Sequence, residues 1–191
     1  SWPMSFAVSP QIAAVQFPPI SEVRLWAAQR CAVSGAPLID LCQAVPDYPP
    51  ADELIREMAT LLADPLIARY TPDEGLPEVR EALAARYRRI YGAVLDGENI
   101  CLTVGASQAF WLAITTLCQA GDEVILQTPF YFDHDMVLAT LGIRRVYAPF
   151  DTASGGVPSP EAIAGLITAR TRASTEGSFL LRAFSRNQLT F

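Results

Sequence analysis

Three small residues, Gly105-Ala106-Ser107, separate one apolar segment from another in "ICLTVGASQAFWLAITTL". A small-residue turn between a strand and a helix exposes the helix's first N–H groups. These have no partner inside the helix and lie at the positive end of its dipole. An anion can approach them closely, and a phosphate monoester is a natural guest. A tight strand-to-helix turn packed for its own sake would use the same residues. About twenty residues on, "TPFYFDHD" follows the next apolar segment. Phe130, Tyr131 and Phe132 are expected at the same edge of the sheet, where one ring could lie against a planar heteroaromatic group. They would equally serve as core.

Other chemistries are limited by composition. His134 is the only histidine, which leaves little from which to build a zinc site or a Ser-His-Asp triad. Cys31, Cys42, Cys101 and Cys118 form no C-x-x-C pair, and buried free thiols in a cytoplasmic setting are the simplest reading. All 14 basic residues are arginine, so no step needing a lysine amine can be carried by this chain. The formal charge of −6 argues against a nucleic-acid surface, and no apolar run reaches the ~20 residues of a membrane span. No basic-then-apolar leader is visible at the start, and Met4 is the expected beginning.

The elements that would position these residues follow from periodicity. Proline-rich residues 1–50 read as an extended arm with one helix near Ser21 to Ser34, Ser21 its N-cap and Gly35 its stop. Residues 51–64 form an amphipathic helix with Leu54, Ile55, Met58, Leu61 and Leu62 on one face, ended by Pro65. Pro77 opens a second helix closed by Gly92, with Val79, Ala82, Leu83, Arg86, Tyr87 and Ile90 on one face. From Asn99 strands and helices alternate. Strands are expected at 100–104, 123–127 and 144–148. Helices are expected at 107–119, apolar all round and therefore buried, at 132–141, and from Pro160 to about Ala169 behind an N-capping Ser159. This alternation predicts an α/β fold with an incomplete doubly wound, mostly parallel sheet.

"LCQAVPDYPP", "ARYTPDEGLPEVREALAARYRRIYG", "LTVGASQAFWLAITTLCQAGDEVILQTPFYFDHD" and "LGIRRVYAPFD" occur in that order. Together they resemble the N-terminal part of class I/II aminotransferases, the pyridoxal-phosphate enzymes of fold type I, over about residues 20 to 172. The resemblance implies the large domain of that fold, pyridoxal 5'-phosphate as cofactor, amino acid and 2-oxo acid as substrates, and a homodimer. By resemblance, Gly105, Ala106 and Ser107 hold the cofactor phosphate, and Tyr131 stacks on its ring. Tyr70 reaches the phosphate of the neighbouring subunit. Ala44 falls where relatives often place a glycine against the substrate carboxylate. The family's later motifs are absent: a "PNNPTG"-like loop, an aspartate for the ring nitrogen, the Schiff-base lysine and a substrate-binding arginine. The expected organisation is therefore an arm at 1–50, a partial cofactor-binding domain at 51–173, and a tail at 174–191 unlike the family. The function implied is that of an aminotransferase fragment, inactive alone. A non-catalytic cofactor-binding or regulatory module, or a carbon–sulfur lyase of the same fold, are the alternatives.

Overall fold

The computed structural model describes residues 7–34, 38–40, 46–176 and 180–183. The backbone divides into two units, 1–18 with 104–191, and 19–103.

The sheet lies in the first unit. Strand β1 (Glu123–Gln127) pairs in parallel with β2 (Arg144–Ala148) on one side and with β3 (Thr171–Glu176) on the other. Strand β4 (Leu180–Ala183) adds antiparallel to β3, giving the order β2-β1-β3-β4. The expected mostly parallel sheet is thus present, and β3 runs across the boundary placed after Ala173. Val124 and Leu126 point to one face of β1 and Ile125 to the other, and all three are fully buried. Burial on both faces is what a central parallel strand requires.

The core forms where helices α5 (Gly105–Leu117) and α6 (Phe132–Thr140) meet β1. Phe110, Ile114, Val124, Leu126, Leu138, Ile143 and Ala173 make one cluster, with Phe130 and Cys118 against it. Burying such side chains is worth about 1.5–3 kcal/mol each. The short helix α1 (Pro10–Ala13) lies beside α6. After β2, Ser159 Oγ accepts the Ala162 N–H and opens α7 (Pro160–Ala164). That helix stops five residues before the expected Ala169. Gly165 follows it, and the Thr168 N–H is taken by Thr171 Oγ1 at 2.9 Å, which turns the chain into β3.

Two expectations about α5 are corrected. The helix begins at Gly105, so the small residues are its first turn rather than a linker before it. It is also not buried all round: only Phe110 and Ile114 are buried, while Trp111, Leu112 and Leu117 are exposed. A helix lying on one sheet face buries one stripe whatever its composition.

The second unit is helical. It contains α2 (Ile20–Ser34), α3 (Asp52–Leu62), a 3-10 turn at Pro65–Ala68, α4 (Pro77–Tyr91) and a 3-10 turn at Gly97–Asn99. Ser21 falls inside the first turn of α2 rather than at its N-cap, and the expected stop at Gly35 lies outside the described residues. Pro77 at the start of α4 and Gly92 at φ +63 just past its end bound that helix as expected. Its buried residues are Arg80 and Ala84, not the apolar stripe; Val79, Tyr87 and Ile90 are exposed. The segment 95–102 explains this. Arg80 Nε donates to Ile100 O at 2.7 Å, Glu81 accepts the Gly97 N–H at 2.9 Å, and Arg88 donates to Leu95 O at 2.8 Å. Arg88 and the Gly97 N–H hold the Glu81 carboxyl below its usual range. The same contacts explain why 100–104 is not a strand: Ile100 O serves Arg80, and the Leu102 N–H donates to Glu74 O at 2.9 Å. Leu102 also covers Gly75, whose φ of +98 and crowded hydrogen face leave no room for a Cβ.

Candidate functional site

The carboxyl end of β1 brings two helix N-termini together. Val104 is the N-cap of α5, and its N–H donates to Gln108 Oε1 at 2.5 Å. Gly105 then turns at φ +82, a left-handed conformation that disfavours any side chain, with no atom within 4 Å of where a Cβ would stand. Gly105, Ala106 and Ser107 are all exposed. Small, uncovered residues at the positive end of a three-turn helix form a ledge open to an anion.

Tyr131 is the N-cap of α6, and its ring is exposed. The ring meets Phe132 at 4.8 Å and the edge of His134 at 5.7 Å, interplanar angle 87°. His134 in turn stacks on the core residue Phe110 at 3.9 Å. A buried aromatic column, Phe110 and His134, therefore braces an exposed phenol. Burial pushes the His134 imidazole below its usual range, with the Asp133 charge opposing, and Nδ1 has no hydrogen-bond partner. Of the three aromatic residues singled out, Phe130 packs against the core and stacks on Tyr147 at 5.4 Å. Tyr131 alone combines exposure with this bracing.

The ledge and the phenol are joined by Asp133, in the first turn of α6. The Ser107 hydroxyl donates to Asp133 Oδ2. Asp135, one residue beyond His134, accepts from Tyr147 Oη at 2.6 Å and pairs with Arg145 Nε at 3.2 Å. Burial and this carboxylate push the Tyr147 phenol up. The start of α6 is thus tied to α5 on one side and to β2 on the other. The aspartates were not singled out from the sequence. The available signal was two acidic residues in the opening turn of a helix, a common and unspecific pattern.

Tyr70 belongs to the helical unit and is fully exposed, beyond the 3-10 turn. Ala44 lies outside the described residues. Among the described residues no cluster of His, Cys, Asp and Glu could hold a metal, and no helix is long and apolar enough to cross a membrane. Cys101 and Cys118 are free thiols but not the buried ones expected: Cys101 is exposed and Cys118 half-buried, while the side chains of Cys31 and Cys42 lie outside the described residues.

A model of the family described as aminotransferase class I and II matches residues 36–180. The chain is 36% identical over 108 residues to an aromatic aminotransferase of Arabidopsis thaliana, covering 56% of this chain and 27% of that protein. It is 32% identical over 139 residues to an aspartate/prephenate aminotransferase of Thermus thermophilus, covering 73% of this chain and 36% of that protein. Among solved structures, an aspartate aminotransferase variant of Thermus thermophilus superposes with a TM-score of 0.79 at 29% identity, covering 89% of this chain and 44% of the other. The chain thus spans about a third of the length of these curated relatives.

Proposed function

Since this chain belongs to the class I and II aminotransferase family, which depends on pyridoxal phosphate, we propose that it carries the phosphate anchor and ring platform of an amino-group transfer site. The observation that supports this most is the pairing of an open small-residue turn at 105–107 with an exposed, braced Tyr131. The residues fit the group. N–H groups of the first turn of α5 suit a phosphate ester, and a phenol face suits a pyridine ring.

The cofactor supplies an electron sink for bonds at the amino acid's α-carbon. This chain's share is positional. Gly105, Ala106 and Ser107 hold the ester end, Tyr131 covers one ring face, and His134 with Phe110 keeps that phenol from tilting. No lysine is present, so the amine that would hold the aldehyde and move the α-proton is not among these 191 residues. The chain alone therefore binds cofactor without turning over substrate. The substrates served by such a site are an amino acid and a 2-oxo acid, with Ala44 near the substrate carboxylate. Tyr70 acts toward the phosphate of a second copy in a homodimer, in the cytoplasm. The arm at 1–50, the cofactor-binding portion at 51–173 and the tail at 174–191 remain our division of the chain.

Equilibrium dialysis of the purified chain tests this. Pyridoxal phosphate should bind more tightly than pyridoxal, and Ser107→Ala should narrow that gap. Transamination should stay at the protein-free cofactor background. Equal affinity for the two vitamers, or turnover above background, contradicts the proposal.

A further inference from the structure

Asp133 and Asp135 share the opening turn of α6 but not the same surroundings. Asp135 is neutralised by Arg145 and accepts the Tyr147 hydroxyl. Asp133 enters no ion pair among the described residues, and its Oδ2 takes the only proton of the Ser107 hydroxyl. It sits where two helix N-termini, of α5 and α6, both favour negative charge. We infer that Asp133 is an internal anion competing with the phosphate ester for the 105–107 ledge. This deepens the function proposed above and rests on it.

The physical argument has two parts. A hydroxyl donating to a carboxylate cannot donate the same proton to a phosphate oxygen. A carboxylate within hydrogen-bond reach of Ser107 also repels a dianion arriving at the same helix end. Like charges a few ångströms apart still repel through the solvent-exposed edge of a protein, so the repulsion is not negligible beside the attraction of the ledge. Ligand entry must displace the Ser107–Asp133 bond or proceed without that hydroxyl. The carboxylate meanwhile holds the Ser107 hydroxyl to itself. It thereby lowers the affinity for any phosphorylated ligand, and leaves the aromatic half of the site untouched.

Asp133→Asn keeps the size of the side chain and one acceptor oxygen and removes its charge. Dialysis against pyridoxal phosphate and pyridoxal, on the full chain and this variant, isolates the effect. The variant should bind pyridoxal phosphate about tenfold more tightly, with pyridoxal unchanged. Adding Ser107→Ala should cancel part of the gain. Thermal melts check folding, and Asp133→Ser serves where the asparagine variant melts out. Unchanged or weaker binding of pyridoxal phosphate by the folded variants overturns this inference alone, since the original chain would still discriminate the phosphate. A folded chain and variants that all ignore the phosphate overturn the proposed site as well.

Discussion

The two ends of β1 are built on opposite plans. At the amino end, Glu123 is buried and almost wholly satisfied: Arg144 Nη1 lies 3.0 Å away, Arg170 Nε 3.9 Å, and Thr168 Oγ1 donates at 2.6 Å. Its neighbour Asp122, also buried, accepts the Gln119 N–H at 3.0 Å and lies 3.5 Å from Arg172 Nε. At the carboxyl end the chain offers Gly105, Ala106 and Ser107 with open space above, beside an exposed phenol. Buried charges are paired at one end, while small exposed residues and an exposed phenol stand at the other. A parallel sheet allows this separation because its connections return every strand in the same direction. One end can then hold three strands together while the other is shaped for a ligand.

The contrast is broken most strongly from below. Glu123→Ala strips the buried acceptor from Arg144, Arg170 and Thr168 and should cost about 1–3 kcal/mol, read as a lower denaturation midpoint. Binding of pyridoxal phosphate by the folded fraction should be unchanged. From above, Gly105→Ala meets no steric neighbour but forces a Cβ into a left-handed conformation, at about 1–2 kcal/mol. Here ligand binding should fall together with stability, because the strain sits in the ledge itself. An equal loss of binding in both variants would erase the division between the ends.

The smallest effect sharpens the contrast through pH. His134 has its imidazole pKa lowered by burial, against the nearby Asp133 charge. A lowered pKa means that the unfolded chain takes the proton first. The stabilisation is complete above the unfolded value near 6.5 and is lost as pH falls through the folded value below it. Melts between about pH 7.5 and 5 should show this decline. It should be missing in His134→Phe, which keeps an aromatic partner for Phe110.

What could be read from the sequence is what depends on neighbours in sequence. Pro77 and Gly92 mark α4 because helix ends are local chemistry. β1, α6 and β2 follow from short periodic runs. The ledge at 105–107 and the phenol at 131 were legible as types at a spacing. The segment 100–104 was misread because its backbone groups find Arg80 and Glu74, far away in sequence. The buried face of α4 was misread for the same reason: an arginine reaching a carbonyl is buried by its partner, not by its polarity. Asp133 was passed over because its contact with Ser107 spans 26 positions and no local pattern announces it.

The double tether at the start of α6, to Ser107 through Asp133 and to Tyr147 and Arg145 through Asp135, bears on the entropy of binding. A loop that must freeze around its guest loses conformational freedom at that moment and weakens the complex accordingly. The Asp135 tether holds this turn to the adjacent strand before any guest arrives, and it stays in place when a guest displaces Asp133 from Ser107. Little of its disorder remains to be lost, and most of the entropic cost of association falls on the incoming molecule.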